Sequence, residues 1–370
     1  MQKRRFCIWI ILVLTLLSGC RRDGGDALVV REPGGLIRVN ADLLAAMTEP
    51  VGGFDLTAHF TPVGVMHTGD EPETFISGGV HGWYVCDEES VLAYGYPRVL
   101  RLSLKDGSLL NEYGRKGRGP GEFLDAESCF VRDGKVYVSD EMSRVHVYDV
   151  ADGQLLEEFP LTDTQVQLCM LSPLEQDYFL LGYSSIAGKN QRFDVLDKHR
   201  LPVRASSLHF DWKAIEKEKS IWTGNAGPFD DQTCIFSGDT LYRVTPKKEI
   251  PVLTVSSTSH KEDAFVSSSV KMGDLLFMDY RFPDQYIRTV LDVKRGKPVF
   301  LAPGHRESRE VRTPDGRTVT VKVMRNAEEW GLPLMWEGEE HRVWPVFADR
   351  GLLICRDNKD GSCFFSLKRK

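Results

Sequence analysis

The sequence predicts an all-β chain, folded as a β-propeller and carried behind an export signal. Three observations lead there. A hairpin-rich segment recurs after 46 residues, five Asp-Gly pairs are spread along the chain, and a basic, apolar and then small-residue N-terminus ends at Cys20.

The N-terminus reads MQKRRFCIWIILVLTLLSGC. Lys3, Arg4 and Arg5 precede an apolar run from Phe6 to Leu17 that only Thr15 interrupts. A basic start, a short apolar core and small residues at a cleavage point define a secretory signal. A membrane-spanning helix needs about 20 apolar residues, more than this run supplies. Leu17-Ser18-Gly19-Cys20 resembles the bacterial lipobox. The resemblance implies cleavage after residue 19 and lipid attachment at Cys20, where two or more acyl chains hold a protein stably on a bilayer. The expected division is a signal peptide over 1–19, the lipidated cysteine and a tether over 20–50, and a propeller over 51–370. Arg, Asp, Gly and Pro dominate residues 21–35, a composition suited to a flexible tether.

Loss of residues 1–19 removes three cations and leaves 44 basic against 53 acidic residues, a net charge of −9. That balance argues against general nucleic-acid binding, which rests on a basic surface. Six cysteines remain besides Cys7 and Cys20: Cys86, Cys129, Cys169, Cys234, Cys355 and Cys363. None has metal-site spacing. They lie in strand-like runs and are expected to be mainly buried thiols, with a local disulfide as the alternative that export allows.

From about residue 50 short apolar runs alternate with polar residues and end in turn signals. RVLRLSL (98–104), KVYVSD (135–140) and RVHVYDV (144–150) alternate with a period of two. Asp-Gly occurs at 106–107, 133–134, 152–153, 315–316 and 360–361. Glycine takes positive φ without steric cost, so tight hairpins select this pair. Helical candidates are few and short, at 40–47 and 211–219. RVLRLSLKDGSLL (98–110) aligns without gaps on RVHVYDVADGQLL (144–156). WYVCD (83–87) is matched to VYVSD (136–140) by allowing a seven-residue insertion, and LLICRD (352–357), YFLLGY (178–183) and LLFMDY (275–280) are weaker echoes. Four-stranded repeats of this length cannot bury both faces alone, and ring closure solves that problem.

Residues 112–159 resemble an NHL-type blade. The stretch GRKGRGPGEF (114–123) is similar to the entry motif of the TolB-like six-bladed propeller lipoproteins of Bacteroidetes. Leu124-Asp125-Ala126 stands where an NHL repeat carries a proline. The resemblance implies six blades, with seven as the alternative. Blades are expected to begin near 74, 123, 166, 228, 263 and 340. A strand from about 54–66 would close the ring with the last blade, and 304–338 would be an inter-blade insertion.

Little in the sequence carries chemistry. Gly114, Gly117, Gly119 and Gly121 with Arg115, Lys116 and Arg118 could cradle an anion, but no Walker spacing is present and an inter-blade crossover explains the glycines. No HExxH, GxSxG or zinc spacing occurs. Acidic groups at Asp87-Glu88-Glu89, Asp125/Glu127 and Glu337/Glu339/Glu340 could gather at a propeller mouth and hold Ca²⁺, although such groups are commonly solvated. Asp357 to Gly361 reads as a hairpin turn. His146, taken as the counterpart of Arg101, is expected on the polar side of its strand. Trp330, Trp336 and Trp344 fall within fifteen residues. Exposed tryptophans stack on sugars or anchor partners, and packing of the insertion on the ring is the alternative.

The expected function is therefore a lipid-anchored envelope module that binds or scaffolds a protein or glycan, without catalytic residues, metal site or cofactor. Trp330, Trp336, Arg115, Lys116 and Arg118 are the candidate ligand contacts. The alternative is a metal-dependent hydrolase or lyase acting in the propeller channel. Arg21 after Cys20, by resemblance to the usual sorting pattern, implies the outer membrane, facing the periplasm.

Overall fold

The computed structural model describes residues 27–370 except 70–71, 77–78, 161–165, 186–189, 212–226, 230–231, 260–264, 283–284, 313–316 and 325–329. The signal peptide and Cys20 lie outside the described residues, as does most of the helix expected at 211–219.

Six antiparallel sheets follow one another as blades. Blade I comprises Gly82–Val85, Ser90–Gly95, Arg98–Ser103 and Leu109–Tyr113. Blade II comprises Ala126–Arg132, Lys135–Asp140, Arg144–Asp149 and Leu155–Pro160. Blade III comprises Val166–Pro173, Phe179–Ser185, Asn190–Leu196 and Pro202–Asp211. Blade IV comprises Gly227–Pro228, Thr233–Ser237, Thr240–Val244 and Glu249–Ser256. Blade V comprises Phe265–Met272, Leu275–Arg281, Gln285–Asp292 and Lys297–Arg312. Blade VI takes Glu339–Asp349, Leu352–Asp357 and Cys363–Arg369 from the end of the chain and Phe60–His67 from near its start. The fold is a six-bladed β-propeller, with the first strands of the blades meeting around the axis.

Among the described residues the apolar core divides into six clusters, one at each junction between neighbouring blades. Leu92, Val99 and Tyr113 of blade I meet Phe123, Val136, Val138 and Tyr148 at the first junction, all buried. Full burial of one such side chain contributes about 1.5–3 kcal/mol. A blade packed on both sides needs apolar residues on both faces, and Ser90–Gly95 is buried throughout. Period-two alternation is therefore partial: the central strands carry two buried faces where the sequence pattern suggested one.

The N-terminal segment binds the ring as a strap. Ile37–Asn40 pairs in parallel with Glu249–Ser256 at the outer edge of blade IV, and Val29–Arg31 adds beyond it. Asn40 then caps the short helix Ala41–Ala45 by accepting from Leu43 N. Val51 bridges to Leu301 on blade V, and Phe60–His67 completes blade VI. This corrects the tether expected over 20–50, because Val29, Ile37, Val39 and Leu44 are core residues. Arg and Gly around them masked two short strands. The insertion near 304–338 contains the extension of blade V's last strand, paired with Thr318–Met324, and the strand Leu332–Trp336, paired with the start of Glu339–Asp349.

The gapless repeat holds in space. Its two copies are the third strands, turns and fourth strands of blades I and II, with Gly107 at φ 68° and Gly153 at φ 73°. The gapped match was wrong by one strand: WYV lies on the first strand of blade I, whereas VYVSD lies on the second strand of blade II. The same 46-residue offset without any insertion sets Lys135–Asp140 against Glu89–Tyr94, on the second strand of blade I. The weaker echoes all fall on second strands, of blades III, V and VI.

Candidate functional site

A cavity of about 660 Å³ lies among the inner strands of the ring. Tyr84, Ser128, Ser172, Thr233, Arg243, Val346 and Asp349 are among its lining residues, contributed by blades I to IV and VI. Most of the polar groups are already committed. Ser128 Oγ lies 2.6 Å from Ser139 Oγ, donates to Leu171 O (3.0 Å) and accepts from Leu171 N (2.9 Å), tying blade II to blade III. Tyr84 reaches Val131 O at 3.4 Å, and burial pushes its phenol up to about 12. Arg350 donates to Val85 O, across the blade VI to blade I junction.

At the end of the ring where each blade begins, His81, Asp125 and Glu127 stand at the blade I to blade II junction. His81 Nδ1 is 3.6 Å from Asp125 Oδ1. Asp125 N donates to Glu141 (3.0 Å). Glu127 falls where the pairing of Ala126–Arg132 slips between Ala126 and Ser128, an irregularity of the kind that re-aims a side chain. Burial, then the charges of Asp125, Glu141 and Asp140, raise the Glu127 carboxyl to about 7. Burial also raises Asp125, against the lowering effect of His81. Phe75, on the connection entering blade I, and Met142, in the second turn of blade II, are exposed at this same end.

A pH dependence follows. The Glu127 pKa lies above its ordinary value of 4.5, so its contribution is intact below pH 4.5 and is lost as pH rises through about 7. Glu127→Gln is expected to remove that decline and to gain up to about 3 kcal/mol over the parent at pH 8. Urea denaturation of both proteins at pH 5 and pH 8 checks it. Identical pH slopes would contradict the buried-carboxylate assignment.

The residues expected to contact ligand lie at two separate junctions. Arg115, Lys116 and Arg118 are exposed on the crossover from blade I to blade II, where Arg115–Lys116 pairs in parallel with Glu122–Phe123. The loop's own carboxylate takes the anion position: Glu122 accepts from Arg115 Nε (2.7 Å) and Gly119 N (2.8 Å). A Cβ at Gly117 would collide with that side chain. Lys116 sits over the Tyr96 ring at 5.1 Å. Trp330 is buried, stacks on Tyr286 at 5.7 Å and closes against Gly304, so it offers no free face. Trp344 is buried, and Trp336 is half-buried against Phe365. The tryptophans pack the insertion on blades V and VI.

The three acidic groups do not converge. Asp87 is held by Arg101 (2.7 Å) in the first turn of blade I, at the opposite end from Asp125 and Glu127, and Glu340 pairs with Arg342 (2.7 Å) on a hairpin. Asp357 accepts from Lys359 N and Asp360 N, as the expected hairpin turn requires, and lies 2.8 Å from His341.

His146 overturns its expectation. It is fully buried, with Nε2 3.0 Å from Asp140 and Nδ1 3.1 Å from Glu158. The Asp140 contact is a well-formed hydrogen bond, whereas the Glu158 approach is off-line for one. The repeat offset places buried Leu100, not Arg101, at its position. Glu158 accepts from Gly121 N (3.0 Å) and Arg144 (3.0 Å), so this network locks the glycine-rich crossover to blade II. Cys86, Cys129, Cys234, Cys355 and Cys363 are free thiols, all buried except the half-buried Cys86. Burial pushes Cys86 and Cys363 up to about 12.

Residues 102–243 match the family described as 6-bladed beta-propeller, DUF5128. No curated protein sequence matches the chain significantly. Among solved structures, a "Putative exported protein" of Bacteroides fragilis is similar over 86% of this chain and 98% of its own, at 14% identity and TM-score 0.54. That likeness is one of fold. The WD40 propeller domain of Doa1 (13% identity, 84% and 97% coverage, TM-score 0.43) and BamB from Moraxella catarrhalis (10%, 92% and 96%, TM-score 0.35) are more distant.

Proposed function

We propose that this six-bladed β-propeller, similar over residues 102–243 to the DUF5128 family, is a lipid-anchored envelope module that binds a protein or glycan at the end of the ring bearing His81, Asp125 and Glu127. The cavity carries the reading: its volume of about 660 Å³ suits a side chain, a short peptide turn or a sugar. His81 lines the cavity at this end of the ring, its mouth, and the Asp125 and Glu127 carboxylates and the exposed Phe75 and Met142 stand at the same end, a mixture of apolar anchors and polar rim that suits recognition. Binding is favoured over hydrolysis because Ser128 ties blade II to blade III and His146 and His341 are engaged by carboxylates inside their own blades. Cys20 supplies the anchor, and the exported compartment follows from the signal.

The test is chemical crosslinking of intact cells producing the tagged chain, followed by mass spectrometry. One envelope component is expected at near-stoichiometric yield, lost in a Phe75→Ala/Met142→Ala variant. Recovery of the propeller alone would count against the reading.

A further inference from the structure

The opposite end of the ring differs in charge. A second cavity, of about 610 Å³, opens between blades V and VI beside Lys294, Arg295, Arg369 and Lys370, all exposed. The acids there are engaged. Asp292 accepts from Lys294 N and Arg295 N and lies 3.5 Å from Arg295 Nε, and Asp274 lies 3.8 Å from Arg31. Lys370 also feels Asp55 nearby. At blades I and II the same end carries Asp87, Glu88, Asp133 and Asp152 beside Lys105 and Lys135, and blade IV adds exposed Lys247 and Lys248, so the cations at this end run from blade IV to blade VI in a chain whose mature charge is negative.

The strap enters the fold at this cationic side. The Val29 carbonyl packs against Gly296, in the turn that carries Lys294 and Arg295, and Arg31 reaches Asp274 in the next turn. Residues 20–27 are all that separates Cys20 from this point, and eight residues span at most about 28 Å. Arg21 and Arg22 stand at the start of that span.

We infer that the basic edge of blades V and VI docks on the anionic phospholipid headgroups of the leaflet that holds the anchor, so that the mouth at His81 and Glu127 faces away from the membrane. The inference rests on the anchored reading above. The short tether keeps these cations near the headgroup layer, and each cation close to an anionic surface contributes about fivefold to the partition. The attraction falls off within a Debye length, about 10 Å, so it requires close apposition and is sensitive to salt.

The test uses the full lipidated chain in nanodiscs of phosphatidylcholine with or without phosphatidylglycerol. Hydrogen exchange is followed at 292–297 and 366–370 and, at the other end, at 140–144. Exchange at the two basic segments should slow about fivefold or more in anionic discs only, and return to the neutral-disc rate at high salt or in Lys294→Glu/Arg369→Glu. Equal exchange in both disc types, or protection at 140–144 instead, overturns the inference. Intact-mass analysis separates the two readings. An unmodified Cys20 overturns the anchor and this inference together, whereas a lipidated chain with an unprotected basic edge overturns this inference alone.

Discussion

Replacing Asp140 with alanine is expected to cost about 3–5 kcal/mol of stability, the penalty for stranding buried charge-bearing groups without their partner. Asp140 is completely buried and accepts from Met142 N (2.9 Å), Arg144 N (2.8 Å), Arg144 Nε (3.2 Å) and His146 Nε2 (3.0 Å). Alanine removes the acceptor for all four and leaves His146 inside the blade II network. Asp140→Asn keeps one acceptor oxygen and should fall between the two. Urea denaturation followed by tryptophan fluorescence measures the difference. A loss under about 1 kcal/mol for Asp140→Ala, the level of an exposed pair, would mean that the network does not hold blade II together.

The second large effect is expected at the closure. Gly64 lies in Phe60–His67, where pairing with Cys363–Arg369 slips between Pro62 and Gly64. A Cβ there would collide with the carbonyl oxygens of Leu104 and Lys105 on blade I. Those are backbone atoms and cannot swing aside as a side-chain tip would. Ser366 Oγ bonds both Gly64 O (3.2 Å) and Leu104 O (2.8 Å), so one hydroxyl joins the closing strand to the next blade. Gly64→Val should destabilise by about 3 kcal/mol, the upper part of the overpacking range, and accelerate proteolysis of both termini. Thr61→Val, at an exposed position of the same strand, should stay within about 0.5 kcal/mol. Equal stability of Gly64→Val and Thr61→Val would show that closure does not depend on this approach.

The ring was legible because its signals are local. The Asp-Gly turns at 106–107, 133–134, 152–153 and 360–361, the gapless 46-residue repeat and the second-strand echoes each occupy one hairpin, Asp315-Gly316 lies outside the described residues, and the closing strand was expected at about 54–66 from the six-blade resemblance. Non-local features were not legible. Ile37–Asn40 joins blade IV across more than 200 residues of sequence, and nothing in IRVN marks an outer strand. His146 looks polar in an alternating strand, yet its neighbours Asp140, Arg144 and Glu158 convert it into a buried crosslink. The tryptophans invited a stacking platform because sequence proximity does not reveal that Tyr286 and Gly304 receive Trp330. At the mouth, Asp125 and Glu127 stood out as acids beside the departure from the NHL pattern, but His81 and Glu141 join them only through folding.

The claim that one end of the ring recognises an envelope component is tested most directly by resolving the crosslink by position. A photo-crosslinking residue is placed at Glu127, at the mouth, and in a second chain at exposed Lys135 on blade II, and cells are irradiated intact. One defined adduct from position 127, absent from position 135, is the predicted result. The same adducts from both positions, or none from 127 in cells where the chain is lipidated and folded, would contradict the account.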